Sequence, residues 1–225
     1  MPRKLLAEAL GTFALVFAGT AAIAANELTG AITHVGVALT FGLVVFALIS
    51  ALGDISGAHL NPAVTLGFTL AGRFPARNAF AYIASQLLGA AVASVLVWQL
   101  FPNSLGLGGT HPSGTNSQSW ILELLLTAGL MLTILGVTVG AKEKGLTAGL
   151  AIGAVVALEA LFAGPICGAS MNPARSFGPA IISWQLGHLW IYLTAPTVGA
   201  AVAVPVCRAL RGKECCPNPK WNLAA

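Results

Sequence analysis

The chain has 225 residues, of which 56% are hydrophobic and only 8% are charged. An ordinary soluble domain has roughly 25% charged residues. This composition excludes a soluble enzyme, a disordered chain and a coiled coil, and it predicts a membrane protein. The net charge of +4 does not indicate nucleic-acid binding, because Lys and Arg lie in short breaks between apolar runs and form no stripe interleaved with aromatic residues.

Six segments are apolar and long enough to cross about 30 Å of hydrocarbon at about 1.5 Å per residue. The first segment is similar to a secretory signal, but we expect it to be retained as a span, because Glu8 interrupts its apolar run and recurs in a second copy of the motif. The predicted spans are residues 5–25, 32–52, 79–101, 119–139, 146–164 and 186–208.

Two shorter apolar stretches, 57–72 and 168–182, lie between the spans and are rich in Gly, Pro and Ser. A helix of about ten residues covers only half of the hydrocarbon. Non-helical backbone is tolerated at membrane depth only where protein or a water-filled cavity satisfies its polar groups. The two stretches therefore predict re-entrant half-helices that line a wet cavity.

The positive charges predict the orientation of the spans. All Lys and Arg residues except Arg175 fall at the two ends of the chain or in the loops after spans two and four, which lie on one side of the membrane. The positive-inside rule makes that side cytoplasmic, and the loop 102–118, which has no Lys or Arg, is expected outside. Arg175 lies within the second short stretch, and an isolated intramembrane charge favours a functional role. The charges on the predicted cytoplasmic side are Arg3, Lys4, Arg73, Arg77, Lys142, Lys144, Arg208, Arg211, Lys213 and Lys220.

The sequence contains an inverted repeat. The segment from Glu8 to Thr12 is echoed by the segment from Glu123 to Thr127, and the first short stretch is echoed by the second. Each copy holds three spans, which is an odd number, so the second copy crosses the membrane upside down, as in many transport folds. The predicted fold is an all-α membrane protein with six transmembrane helices and two re-entrant half-helices in an inverted 3+3 repeat. We expect one channel domain over 1–225, with repeats at 1–101 and 119–208 and a cytoplasmic tail at 209–225.

Each short stretch carries Asn-Pro-Ala where its helix is expected to begin. Asn is a favoured N-cap, and Pro is tolerated at the first helical position. The Asn oxygen is used by the cap, whereas the NH₂ group remains a donor to an oxygen in the pore. Two such N-termini meeting near the midplane orient a water or hydroxyl, interrupt a proton-conducting chain and repel cations. The motif residues are Asn61, Pro62, Ala63, Asn172, Pro173 and Ala174.

This pattern predicts a passive channel for small neutral hydroxylated molecules. A secondary transporter also uses inverted repeats and broken helices, but it needs coupling-ion ligands near the midplane, and Glu8, Glu123 and Glu159 are the only candidates. An intramembrane enzyme is disfavoured because the chain has no Gly-x-Ser-x-Gly or His-Glu-x-x-His motif and its four His residues suggest no base with an orienting partner.

The four cysteines show no disulfide or zinc spacing, so they predict free thiols and no metal site. Cys215 and Cys216 are expected in a solvated tail. Binding of a thiophilic metalloid such as arsenite, or acylation, is the alternative for this pair.

The same motifs resemble those of the major intrinsic protein, or aquaporin, family. AHLNPAVTLG and GASMNPARSFGPA resemble its two signature loops, AEALGT and LELLLT its paired Glu motifs, and HLWIYLTAP the start of its sixth span. The resemblance implies a homotetramer in membrane lipid, with one pore per subunit and no cofactor. The second loop is also similar to that of the nodulin-like subgroup and of bacterial metalloid-permeable members, which admit glycerol and undissociated metalloid acids.

By its distance from the two Asn residues, the family's selectivity filter falls on Phe41, Ala160, Ala169 and Arg175. Water-selective members have a His where Ala160 stands. A methyl group in place of an imidazole removes a donor and widens the constriction, which favours glycerol and arsenous or boric acid in addition to water. A water-selective channel is the alternative.

Further side chains near the predicted pore are also assigned roles, and for Glu8 and Glu123 the family resemblance implies them. Glu8 and Glu123 are expected to accept backbone N–H groups of the re-entrant loops, with proton relay as the alternative. Glu159 is expected to brace the loop containing Cys167, with a direct role in the filter as the alternative. His59 is expected to line the cytoplasmic vestibule, with gating by protonation as the alternative. Cys167 is expected in the outer vestibule, where a thiol would make the pore sensitive to mercury.

Overall fold

The computed structural model describes residues 1–138, 146–212 and 215 of the chain. Within these ranges it consists of α-helices joined by loops, and six of the helices are long and apolar enough to cross a membrane. The predicted all-α fold is confirmed. Of the positions singled out above, Lys142, Lys144, Lys213, Cys216 and Lys220 lie outside the described residues. The helices are α1 Pro2–Thr29, α2 Thr33–Ser56, α3 Pro62–Leu70, α4 Ala76–Leu100, α5 Asn116–Val137, α6 Leu146–Cys167, α7 Pro173–Ser183 and α8 Leu189–Arg211.

Several helices extend beyond the predicted apolar spans. The 28 residues of α1 correspond to about 42 Å at 1.5 Å per residue, so its polar ends, with Lys4 and Glu27, reach past about 30 Å of hydrocarbon. Helix α8 starts three residues later than predicted, because the chain turns at Trp184 in the left-handed region (φ 58°) before the helix begins.

Helix α6 continues through Pro165 to Cys167, although the sequence predicted its end at residue 164. Proline has no N–H to donate to the carbonyl four residues earlier, which is that of Leu161. The Nε2 atom of His34 lies 2.8 Å from this carbonyl oxygen and donates to it instead. The histidine of α2 thus satisfies the acceptor that Pro165 leaves open, and the helix continues for one more turn.

The two half-helices together cross the membrane. Helix α3 has nine residues and α7 has eleven, which at 1.5 Å per residue gives about 30 Å in total, close to the thickness of the hydrocarbon. They meet at their N-termini, where Asn61 Nδ2 donates to the Met171 carbonyl at 2.8 Å and Asn172 Nδ2 donates to the Leu60 carbonyl at 2.9 Å.

Equivalent glycines bring the spanning helices together in the two repeats. Gly89 of α4 lies against the Ala9 carbonyl of α1, and Gly199 of α8 lies against the Leu124 carbonyl of α5. Lipid tails are as apolar as the helices, so association within the membrane depends on close van der Waals packing through small residues. The paired glycines therefore set the distance between the helices that surround the half-helices.

The structure corrects the prediction of free thiols for Cys207 and Cys215 and of a solvated Cys215, whereas Cys167 is a free cysteine as predicted. Helix α8 continues to Arg211, and Gly212 (φ 58°) then reverses the chain. Cys215 folds back to form a disulfide with Cys207, with a Cα–Cα distance of 5.9 Å, and both residues are buried. The pairing depends on this reversal, which the cysteine spacing alone does not indicate.

We predict that Gly89→Val destabilises the fold. A side chain at this position collides with the Ala9 carbonyl and separates α1 from α4, so the free energy of unfolding should fall by about 1–3 kcal/mol, the usual cost of overpacking. Thermal unfolding in detergent measures the effect as a lower Tm. Gly53→Ala on α2 is the matched control, because a Cβ at Gly53 meets open space. Equal Tm values for the two variants would contradict the packing described here.

Candidate functional site

Three cavities lie in series between the two faces of the bundle. The loop-side vestibule, of about 400 Å³, lies beside Glu27 and His111. The terminal-side vestibule, of about 820 Å³, lies beside Met1 and Lys4. The central cavity between them has about 100 Å³, which is room for roughly three waters at about 30 Å³ each. The central cavity is therefore the smallest of the three spaces.

The central cavity and the loop-side vestibule have four described lining residues in common: Phe41, Ala160, Ala169 and Arg175. These are the four positions at which the sequence predicted a selectivity filter, and the structure brings them together at one junction. The guanidinium carbon of Arg175 lies 5.0 Å from the centre of the Phe41 ring. The other two side chains are single methyl groups, so the junction combines one cation and one aromatic ring with two small apolar residues.

Arg175 is held by the long loop between α4 and α5. Its Nη1 donates to the Gly108 carbonyl at 2.8 Å, whereas its buried Nε has no hydrogen-bond partner among the described residues. Gly108 has φ +65°, and a Cβ there would meet the backbone of Thr20. The loop thus reaches into the bundle at a glycine and orients the arginine from the backbone. Sequence reasoning placed this loop outside and missed Gly108 as a partner.

The Phe41 ring occupies space left by a glycine on α1. A Cβ on Gly19 would coincide with the ring edge, so any larger residue displaces the ring at the junction. Gly19 could not be recognised from the sequence, because one glycine in a span rich in small residues gives no separate signal.

The two re-entrant loops have matching and strained backbones. In each loop the glycine and the first and third residues after it have positive φ, and four of these six residues are not glycine. A non-glycine residue in the left-handed region costs about 1–2 kcal/mol, so the loops require stabilising contacts. The residues and angles are Gly57 (89°), Ala58 (45°) and Leu60 (50°) in the first loop, and Gly168 (85°), Ala169 (39°) and Met171 (52°) in the second.

The carboxylate of Glu8 supplies these contacts in the first loop. It accepts hydrogen bonds from the backbone N–H groups of His59 at 3.0 Å and Leu60 at 2.8 Å. It also accepts from the hydroxyl of Ser56 at 2.7 Å and from Gln86 Nε2 at 2.8 Å. Hydrogen bonds to a charged acceptor are stronger than neutral ones, so a single side chain with four donors holds the loop in place.

Glu123 has the same relation to the second loop. Its carboxylate accepts from the backbone N–H groups of Ser170 at 2.7 Å and Met171 at 2.8 Å. These residues correspond to His59 and Leu60 in the repeat. Both glutamates are buried and contact loop backbone, which is the role that the family resemblance implies.

Glu159 does not brace the Cys167 loop, contrary to the sequence-based expectation. Its Oε2 is buried without a hydrogen-bond partner among the described residues, and the carboxylate lies close to Gly129 of α5. The Cys167 carbonyl instead accepts from the hydroxyl of Tyr192 at 2.8 Å. Adjacent residues on a helix point about 100° apart. With Ala160 at the junction, Glu159 therefore points towards α5 and away from the loop.

The sequence predicted Cys167 in the outer vestibule, but Cys167 is not among the residues that line the loop-side vestibule. Its side chain is fully buried, and its thiol donates to the Ala163 carbonyl at 3.5 Å. Because α6 continues through Pro165, residue 167 is still helical and its side chain packs in the core. The neighbouring Pro165 and Gly168 line the vestibule instead.

The two Asn side chains each perform two tasks. Asn61 Oδ1 accepts from Ala63 N at 2.9 Å, and Asn172 Oδ1 accepts from Ala174 N at 3.0 Å, so each caps its half-helix. Each NH₂ group also donates across the junction of the half-helices to a backbone carbonyl of the other loop. The sequence analysis left both amide hydrogens for the pore. One of the two is used within the protein, and the other remains at the wall of the central cavity.

His59 lines both the central cavity and the terminal-side vestibule. Its ring lies 4.7 Å from Phe68, 4.8 Å from Phe74 and 5.2 Å from Tyr82, measured between ring centres. Its Nδ1 is 3.2 Å from the hydroxyl of Thr65. These contacts fix the imidazole at the boundary between the two spaces.

His111 places a neutral imidazole in the loop-side vestibule. Burial lowers its pKa below the usual 6.5, the positive charges of His188 and Arg175 lower it further, and Glu27 opposes them. The side chain is therefore mainly uncharged at pH 7, and Arg175 supplies a fixed positive charge to this vestibule.

A path lined mainly by apolar residues, with two half-helix N-termini at its centre, is the geometry of a passive membrane channel. The chain belongs to the major intrinsic protein family, whose model matches residues 1–206. Members of this family are channels and not enzymes, which confirms the class that the sequence predicted.

Similar proteins place the chain near the nodulin-like subgroup. It is 48% identical to aquaporin NIP1-3 of Oryza sativa subsp. japonica over 200 residues, which cover 88% of this chain and 70% of the rice protein. It is 44% identical to nodulin-26 of Glycine max, over 93% of this chain and 78% of that one. The X-ray structure of the aquaglyceroporin from Plasmodium falciparum superposes with a TM-score of 0.81 at 29% identity, covering 91% of this chain and 94% of that chain.

We predict that Glu123→Gln and Glu159→Gln differ in stability although both acids are buried on spanning helices. The first substitution replaces a carboxylate oxygen that accepts a loop N–H by an NH₂ group, which should cost about 1–3 kcal/mol. The second removes no hydrogen bond to a described residue and should leave stability nearly unchanged. Thermal unfolding of the two variants side by side measures the difference. A larger loss of Tm in Glu159→Gln would contradict the roles assigned here.

Proposed function

We propose that this channel conducts water and small uncharged hydroxylated solutes, among them glycerol and undissociated metalloid acids such as arsenous and boric acid. The observation that carries the proposal is the junction where Ala160 and Ala169 line the path beside Phe41 and Arg175. Two methyl groups leave more width than an imidazole would, and they present no donor of their own.

At this junction the solute exchanges water for protein contacts. Arg175 carries N–H donors in a fixed planar fork, and its bond to Gly108 uses one of them. A solute hydroxyl oxygen accepts from the guanidinium, while the Phe41 ring and the alanines contact the apolar side of the solute. The fixed positive charge disfavours cations at the same point.

At the centre of the path, the Asn pair orients the permeating oxygen. Each amide has two hydrogens, and one remains after the bond to the opposite loop. An oxygen that accepts from the Asn residues directs its own hydrogens away along the path, which interrupts the hydrogen-bonded chain that a proton needs. The two helix N-termini add positive electrostatic potential that repels cations. The proposed channel therefore excludes protons and ions.

We infer further that the face bearing Met1, Arg73 and Arg211 is cytoplasmic, by the distribution of positive charge. We propose the cell membrane as the location and a homotetramer as the assembly, as in the family that the chain belongs to, with lipid and small neutral solutes as its partners.

We predict that purified protein in liposomes conducts glycerol, and that Ala160→His reduces this conduction. Stopped-flow light scattering with an inward glycerol gradient separates fast shrinkage by water efflux from slower reswelling by glycerol. The imidazole narrows the junction and adds a donor, so glycerol flux should fall about tenfold, equivalent to about 1.4 kcal/mol at the barrier, while the water rate is retained. Ala160→Gly is the matched control, because it leaves the junction open and should retain both fluxes. Arsenous and boric acid are then compared in the same vesicles.

Fast shrinkage without protein-dependent reswelling in the unmodified protein would favour the water-selective alternative. Unchanged glycerol flux in Ala160→His would contradict the assignment of Ala160 to the filter. Dependence of the solute flux on an ion gradient would support a secondary transporter over a channel.

A further inference from the structure

A disulfide lies at the end of the molecule that bears Met1 and Arg211, and conduction through the pore does not require it. The disulfide between Cys207 and Cys215 closes a short ring that joins the last turns of α8 to the chain beyond Gly212. Both cysteines are almost fully buried. The disulfide therefore holds residue 215 against the bundle.

Arg73 links this ring to the mouth of the pore. Its Nε donates to the Cys215 carbonyl at 2.7 Å, and its Nη2 donates to the same oxygen. Its Nη1 donates to the Leu135 carbonyl at 3.1 Å and to the Thr138 hydroxyl at 2.8 Å, at the end of α5. Arg73 and Thr138 also line the terminal-side vestibule. One guanidinium thus connects the disulfide-bonded segment to the vestibule wall.

The disulfide borders a surface groove. Cys207 lines a surface groove of about 230 Å³ between α5 and α8, together with Gly136 and Arg211. A neighbouring guanidinium stabilises thiolates, which are the reactive species in thiol–disulfide exchange. Because both cysteines are almost fully buried, exchange at this groove requires local opening at the end of α8, and Arg211 in the groove wall then favours the thiolate.

We propose that Cys207 and Cys215 form a reversible dithiol–disulfide site whose oxidised state holds Cys215 beside Arg73 at the pore mouth. In reduction, the thiolate of a small-molecule thiol attacks one sulfur and releases the other cysteine as a thiolate. A second thiol then resolves the mixed disulfide, so the protein gains two electrons and two protons and one external disulfide forms. In oxidation by hydrogen peroxide, the two thiols lose two electrons and two protons, and the peroxide is reduced to two molecules of water. An organic hydroperoxide is instead reduced to the corresponding alcohol and one molecule of water.

Opening the disulfide removes the covalent tether but leaves the bonds of Arg73 to Leu135 and Thr138 in place. The Cys215 carbonyl still accepts the hydrogen bonds from Arg73, but the end of α8 at Arg211 is no longer closed in a covalent ring. The reduced form should therefore expose the peptide bond after Arg211 more often than the oxidised form.

The first test maps the pairing in the full-length protein. Tryptic digestion without reductant should give peptide 176–208 linked to peptide 214–220, and dithiothreitol should separate them. The linked pair should be lost in Cys215→Ser and kept in Cys216→Ser, which is the matched control from the same peptide. A linked pair that survives Cys215→Ser, or peptides that remain unlinked after treatment with hydrogen peroxide, would overturn the proposal.

The second test measures the consequence for the tail. Brief trypsin treatment of the protein in liposomes, with products analysed after quenching and full reduction, gives the rate of cleavage after Arg211. This rate should rise several-fold when dithiothreitol opens the disulfide and should return after reoxidation with hydrogen peroxide. Equal rates in the two states, or a disulfide that excess dithiothreitol does not open, would contradict the proposal. The comparison uses unmodified protein throughout, so it does not depend on the folding of a variant.

Discussion

The buried carboxylates of Glu8 and Glu123 hold the two loops on which the whole pore depends. Each loop passes through the membrane interior without helical hydrogen bonds, and each contains residues forced into the left-handed region. In the absence of water, such backbone requires partners within the protein. The glutamates provide these partners at equivalent N–H groups in the two repeats. The position of every pore-lining residue in the loops follows from this support.

The inverted repeat converts this local support into a pore. Because the second copy crosses the membrane in the opposite sense, the supported loops approach each other from opposite faces and present two helix N-termini at the centre. The reciprocal bonds of Asn61 and Asn172 to Met171 and Leu60 join the loops there. The Asn pair that we propose orients a permeating oxygen thus also fastens the two halves together.

Features that the sequence repeats were predictable, and features that depend on helix rotation or on through-space contacts were not. The Asn-Pro-Ala motifs, the half-helices and the paired glutamates each occur twice, so each copy supports the interpretation of the other. Glu159 and Cys167 have no such counterpart, and their orientation depends on how α6 is rotated and where it ends. The disulfide of Cys207 depends on the chain reversal at Gly212, which cysteine spacing does not encode.

The central claim is that the supported Asn pair passes neutral molecules and rejects protons. The most direct measurement compares water flux with proton flux in the same proteoliposomes, using stopped-flow light scattering for water and an enclosed pH-sensitive dye under a valinomycin-clamped potential for protons. The account predicts a water flux well above that of protein-free vesicles, with no protein-dependent proton flux. A proton flux that rises with the amount of reconstituted channel would contradict it.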